Sequence, residues 1–236
     1  MKTIGLLGGM SWESTLTYYQ LLNQGVRQRS GGLHSARILL HSVDFAQIED
    51  YQRQGLWQEA GNLLATAASG LERIGADVIL ICTNLMHKVA PAVAAQIRIP
   101  LLHIADAAGR AINDQQLTKV GLLGTRYTME EDFYRQRLQD RYALEVLIPA
   151  KPEREVIHRI IYQELCHGKI TAAARQTYLT IIEKLRDQGA QGIILGCTEI
   201  PLLVRQSDTD LPLFDTTALH AEAALAFAFG DETVSG

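Results

Sequence analysis

The sequence has little of what marks a specialised protein. Three cysteines in 236 residues are too few and too scattered for a disulfide framework, and no pair of them has the spacing of a structural zinc site. Such a sparse, odd set fits a reducing compartment, so a cytoplasmic protein is expected. Six prolines, an ordinary glycine content and 47% hydrophobic residues exclude a disordered or fibrous chain. No apolar run approaches the roughly 18 residues that a membrane span needs. The opening apolar patch stops at Gly8-Gly9; it is short for a secretory signal and reads as a first strand. Charged residues make up 20% with a net charge of -4, which argues against nucleic acid or an anionic membrane as partner. Also missing are G-x-G-x-x-G, the P-loop, H-E-x-x-H and G-x-S-x-G, so no dinucleotide, metal or serine-hydrolase signature is present.

What is present is alternation. Short runs rich in Ile, Val and Leu at 3–7, 37–40, 77–81, 101–104, 119–123, 145–148, 192–195 and 212–214 predict strands. Stretches at 14–29, 56–74, 129–141, 153–167 and 172–188 carry apolar residues at helical spacing. This pattern predicts an α/β fold with parallel sheets covered by helices. The second half echoes the first: Gly5-Leu6-Leu7-Gly8 matches Gly121-Leu122-Leu123-Gly124, Gly75-Ala76 matches Gly189-Ala190, and Pro100-Leu101 matches Pro212-Leu213. The three shifts of 116, 114 and 112 residues are nearly constant and point to an internal duplication. Two similar α/β domains are therefore expected, residues 1–105 with 212–236 and residues 106–211, with a boundary near 105–116.

Ligands of open parallel sheets sit at the carboxyl ends of the strands. With two such domains, those ends are expected to form one cleft. Its candidates are the turns at Gly8-Gly9-Met10-Ser11, Thr83-Asn84, Gly124-Thr125-Arg126-Tyr127-Thr128 and Gly196-Cys197-Thr198-Glu199. The glycines of the first and third turns would let a backbone approach a ligand closely. At the 114-residue shift Thr83 matches Cys197, while Cys82 matches Gly196 and reads as a small strand-end core residue. Cys197 opens a turn expected near a helix N-terminus, where a thiolate is favoured. Cys166 reads as packing, and His87 as a surface or capping residue.

Thr83-Asn84 with His87, the run Gly196-Cys197-Thr198-Glu199-Ile200-Pro201, and the opening I-G-L-L-G-G-M-S-W-E-S-T together resemble the cofactor-independent aspartate/glutamate racemase family. The closest likeness is to its aspartate/glutamate-specific and broad-specificity amino-acid racemases, over essentially the whole chain. The resemblance implies two α/β domains related by pseudo-twofold symmetry, a site between them, a homodimer, and an amino acid as substrate. It also implies chemistry without pyridoxal phosphate or metal. In that chemistry one cysteine removes the α-proton from one face and a second returns a proton to the other, while donors hold the substrate carboxylate.

The chain departs from the family's first motif, C-N-T-x-H, because the frame here reads Thr83-Asn84-Leu85-Met86-His87. Thr83 occupies the cysteine slot, and Cys82 is one residue out of register and should point away. A hydroxyl donates a proton but is a very poor base, so an asymmetric enzyme is expected, with Cys197 abstracting and the Thr83 side returning. Substrate contacts implied by the resemblance are Met10, Asn84, Leu85, Thr198 and Glu199, with Thr125, Tyr127 and Thr128 at the duplicate of the glycine turn. Gln52 matches the position that binds the substrate's distal carboxylate, and a neutral amide there relaxes the demand for an acidic side chain, unless Arg53 restores it. Single-cysteine decarboxylases and maleate-type isomerases use the same frame, and a non-catalytic amino-acid binder has the same cleft; both remain open from sequence alone.

Overall fold

The computed structural model describes residues 1–231. The elements run β1 (Ile4–Gly8), α1 (Trp12–Ser30), β2 (Ile38–Ser42), α2 (Phe45–Gln54), α3 (Trp57–Arg73), β3 (Val78–Ile81), α4 (Ala90–Ala94), β4 (Leu101–Leu102) and α5 (Ile104–Asp114). They continue with β5 (Lys119–Gly124), α6 (Arg126–Glu130), α7 (Asp132–Tyr142), β6 (Glu145–Leu147), α8 (Lys151–Gln163), α9 (Ala172–Asp187), β7 (Ile193–Gly196), α10 (Ile200–Leu203), β8 (Leu213–Asp215) and α11 (Thr216–Phe229). Two compact units result, one of residues 1–104 with 220 onwards and one of Ala105–Leu219. Each holds a four-stranded parallel sheet, ordered β2-β1-β3-β4 in one and β6-β5-β7-β8 in the other. None of the described helices is long and apolar enough to cross a membrane.

The duplication seen in the sequence has a counterpart in atomic detail. The Ile79 N–H donates to the Pro100 carbonyl and the Ile193 N–H to the Pro212 carbonyl, both across 2.8 Å. The Asp77 carboxylate accepts the Thr3 N–H, and the Gln191 amide oxygen accepts the N–H groups of Thr118 and Lys119. A Cβ placed on Gly5 would stand 2.8 Å from Ile79 Cδ1, and one on Gly121 would stand 2.8 Å from Ile193 Cδ1. In both sheets, then, the second strand in space is glycine-lined so that an isoleucine of its neighbour can lie across it.

In the first unit the alternation of β3 sorts its side chains between two apolar layers. Val78, Leu80 and Cys82 face a cluster with Tyr18 and Leu22 of α1 and Ala224 and Leu225 of α11. Ile79 and Ile81 face the opposite cluster, with Ile48 of α2 and Leu64 and Ala68 of α3. Burying such side chains at about 25 cal/mol per Å² is the main source of stability for a two-layered sheet of this kind.

Two sequence expectations need correction. The strand at 213–215, expected in the first domain, instead extends the second sheet, pairing in parallel with β7 from Ile193↔Leu213 to Leu195↔Asp215; the chain returns to the first unit only at His220. The boundary expected near 105–116 meets the division of the units between Ile104 and Ala105; residues 104–114 there form α5, and Asp106 accepts a bidentate bond from Arg137 and a third from Arg141. The short helix α2 was not anticipated: only Ile48 and Gln52 of its ten residues are buried, too few for a periodic signal. Its start is fixed by Asp44, whose carboxylate accepts the Ala46 N–H.

Candidate functional site

In the first unit the strand-end turns after β1 and β3 lie side by side, since Leu7 pairs with Ile81 and the Cys82 N–H still donates to the Leu7 carbonyl at 2.9 Å. The glycines of the first turn are required by the packing of the chain itself. Gly9 has φ +89°, and any Cβ there would collide with the Val43 carbonyl; a Cβ on Gly8 would strike Thr15. The Thr15 hydroxyl closes the turn, accepting the Gly9 N–H at 2.8 Å and donating to the Ser11 carbonyl at 3.0 Å. Met10 is buried in the apolar cluster with Ile48 and Met86.

Cys82 is fully buried, on the same side as Val78 and Leu80, and burial pushes its thiol far above the usual range. Thr83, one residue on, is partly exposed, followed by buried Asn84 and Leu85. The next turn, a 3-10 segment at Leu85–Val89, carries His87. His87 is not at the surface as expected; it is buried to 1% exposure. The Ile104 N–H donates to its Nε2 at 3.2 Å, which leaves Nδ1 as the donor to the Thr83 carbonyl at 2.8 Å. The ring thus ties the Thr83 backbone to the chain after β4. It packs against His103 at 4.6 Å and His220 at 5.5 Å between centroids. His220 in turn accepts the Tyr18 hydroxyl at Nδ1 and donates from Nε2 to the Leu102 carbonyl.

The side-chain candidates part company. Gln52 is buried and its amide donates to Met86 Sδ at 3.1 Å. Arg53 is exposed and paired with Asp50.

In the second unit the turns after β5 and β7 meet where Gly124 pairs with Gly196. A Cβ on Gly124 would stand 3.0 Å from the Gly196 carbonyl oxygen, so these glycines too allow strand ends to close on each other. Thr125 caps α6: its hydroxyl accepts the Thr128 N–H at 3.3 Å and lies 3.1 Å from the buried Thr128 hydroxyl. Tyr127 is partly buried against His158 of α8, and the Arg126 N–H donates to His158 Nδ1 at 3.3 Å.

Cys197 is partly exposed. Its thiol donates to Glu199 Oε2 at 2.8 Å, and the Thr198 hydroxyl donates to the same oxygen at 2.8 Å. Burial first, then the charge and hydrogen bond of Glu199, push the thiol well above its usual range, opposed by the Glu199 backbone N–H. This reverses the expected thiolate. The helix that follows, α10, has four residues, too short to supply a strong dipole, while a carboxylate sits directly on the sulfur.

Residues that the sequence reading missed complete this end of the sheet. Asp215 ends β8 beside Leu195 and caps α11, accepting the N–H groups of Thr217 and Ala218. Thr216 donates to the Leu195 carbonyl at 2.9 Å. Only the duplication, which matches Leu101 with Leu213, pointed to this segment. Among the described residues no group of three or more His, Cys, Asp or Glu side chains is placed to hold a metal ion.

A protonated thiol thus rests on a carboxylate at one strand end, with a threonine at the matching end of the duplicated sheet. The Asp/Glu/Hydantoin racemase family matches residues 7–224. A Yersinia pestis protein solved as a candidate Asp/Glu racemase is 55% identical, with a TM-score of 0.93 over 97% of this chain and 100% of that one. An aspartate racemase homologue from Pyrococcus horikoshii is 35% identical, with a TM-score of 0.87 over 97% of this chain and 100% of its own. The broad specificity amino-acid racemase RacX of Bacillus subtilis is 22% identical over 234 residues, 94% of this chain and 96% of that one. With a family match that spans all but the ends of its sequence, this chain belongs to the Asp/Glu/hydantoin racemase family.

Proposed function

We propose that the protein racemises an amino acid by exchanging its α-proton, with Cys197 working on one face of the α-carbon and Thr83 on the other. The observation that carries this reading is the hydrogen bond from Cys197 Sγ to Glu199 Oε2. A thiol whose ionisation is disfavoured is a poor base by itself. Passing its proton to Glu199 gives a thiolate beside a neutral acid, so the sulfur becomes basic without a second net charge in the site. The thiolate takes the α-proton, the Thr83 hydroxyl relays a proton from water to the opposite face of the carbanion, and the neutral Glu199 gives its proton back to solvent, neutralising the hydroxide so formed. Both half-sites must address a single substrate for this to work. Donors to the substrate carboxylate stabilise the carbanion, a role proposed for Asn84, Thr125, Tyr127 and Thr198; Met10 and Leu85 would shape the walls.

A neutral Gln52 in place of a base favours a substrate range extending from aspartate and glutamate to uncharged amino acids such as homoserine. The chemistry proposed needs neither pyridoxal phosphate nor metal. A second copy of the chain is proposed to cover α1, where Trp12, Leu16 and Tyr19 share one face and are 65%, 48% and 52% exposed.

Solvent deuterium exchange at Cα, followed by NMR from each enantiomer of each amino acid, tests the reading. Exchange is expected from the enantiomer presented to Cys197, much slower exchange from the other, and none in Cys197→Ser. Equal exchange from both enantiomers overturns the assigned asymmetry. Absence of exchange with turnover of a malonate or maleate places the chain with the single-cysteine lyases and isomerases, and binding that survives in Cys197→Ser without turnover marks a binder.

A further inference from the structure

Helix α9 carries Tyr178, fully buried, with a hydroxyl that meets no hydrogen-bond partner in the structure. A buried phenol left without an acceptor is unusual and needs a reason. Its place in the fold supplies one. Leu185, at the other end of α9, lies over Gly121 of β5. Tyr178 is seven residues earlier, about 10 Å back along the helix. The helix leads into β7, so this displacement runs toward the carboxyl ends of the strands. Three residues of β5, from Gly121 to Gly124, cover about 10 Å as well, so Tyr178 is level with the strand-end turns. Arg175, one helical turn before Tyr178 on the same face, donates from Nε to the Leu203 carbonyl at 2.8 Å. That bond clamps this face of α9 to the segment that follows Cys197 and Glu199. The acidic groups around the phenol are Cys197 and Glu199, then Cys166 and Glu164, and together with burial they hold it neutral, as a donor.

We infer that Tyr178 is a positioning residue for Cys197, its hydroxyl kept beside the Cys197–Glu199 pair and donating to that pair once the sulfur has lost its proton. In the resting state the thiol spends its proton on Glu199, so the sulfur offers little to a further donor. When the proton leaves, the sulfur gains negative charge and becomes a strong acceptor. A neutral phenol already in the dry layer beneath it meets that charge without reorganisation, which is the condition under which such donors act most strongly. The inference rests on the reading that Cys197 carries the reaction, but its test does not require turnover.

The test is the pH dependence of iodoacetamide alkylation of Cys197 in the full-length chain, in a Cys166→Ser background, with Cys197→Ser defining the blank. Tyr178→Phe removes the hydroxyl and keeps the ring. The alkylation midpoint is expected to rise by about one pH unit, a tenfold loss of thiolate at a given pH, with kcat falling and KM unchanged. Stability in urea should hold or rise, because an unpaired buried group has been deleted. An unchanged midpoint, with the wild type racemising, overturns the inference and leaves the function standing. A raised midpoint in a protein that racemises nothing does the reverse.

Discussion

The Cys197 thiol donates a hydrogen bond to Glu199 Oε2 across 2.8 Å, and Thr198 donates to the same oxygen. The carboxylate therefore suppresses the thiolate at rest, and in the proposed reaction it is also the group that receives the proton when the sulfur acts. The two roles separate on substitution. Glu199→Gln removes the charge that raises the thiol, leaving burial as the main cause. Alkylation of Cys197 near neutral pH is expected to speed up, while racemisation falls by roughly 10²-fold or more, the scale of a lost general base. If both rates rise together, Glu199 only restrains the thiol.

Cys82 stands next to Thr83 and invites a role as its substitute, but its sulfur lies in the layer with Val78, Leu80 and α11. Cys82→Ala is expected to keep deuterium exchange from either enantiomer and to cost about 1 kcal/mol of stability for the lost sulfur contacts. Cys82→Ser should cost more, roughly 1–3 kcal/mol, because the hydroxyl is buried among apolar groups. Urea unfolding of the two variants, with exchange rates beside it, gives the comparison. Loss of exchange in Cys82→Ala would assign the sulfur a part in the reaction.

The contrast between these two thiols shows what sequence patterning reveals. The side of β3 that Cys82 joins follows from alternation, and the matched halves at Gly5 and Gly121 or Pro100 and Pro212 follow from the repeat. Helix α2 was not legible because its buried face amounts to Ile48 and Gln52. Helix α5 was not, because its ties are the Asp106 bonds to Arg137 and Arg141, some thirty residues away. At the site, the residue types at Thr83, Cys197 and Glu199 were visible, but the raised thiol was not. That depends on which way one carboxylate turns, and a side-chain rotamer leaves no trace in spacing. His87 and Tyr178 were likewise unreadable as site supports, since a histidine or tyrosine at helical spacing looks the same whether it meets solvent, core or a carbonyl.

His87 holds the Thr83 carbonyl and the Ile104 N–H from its two ring nitrogens. His87→Leu keeps the volume and strips both backbone groups of the ring that bonds them. The expected cost is roughly 2–4 kcal/mol, from two buried polar groups at about 1–2 kcal/mol each, read as a lower urea midpoint with an unchanged slope. Exchange on the Thr83 face should weaken more than exchange at Cys197, since only the first turn is released. Equal weakening of both would mean that the loss is one of global stability.

A separate consequence concerns acid. His158 accepts the Arg126 N–H at Nδ1, a bond that requires the neutral ring. Burial, and then the Arg126 charge, hold its pKa below the ordinary histidine value of 6.5, with Glu130 opposing. The unfolded chain titrates near that ordinary value, so below it the unfolded state binds more protons than the folded one. The contribution of this group is complete above about pH 6.5 and is lost as the pH falls through the lower, folded value. His158→Asn, which keeps an acceptor but cannot titrate, is expected to flatten the fall in urea stability between roughly pH 7 and 5. Equal slopes in the two proteins would show that the ring is protonated in the fold at no cost and that the Arg126 bond is dispensable.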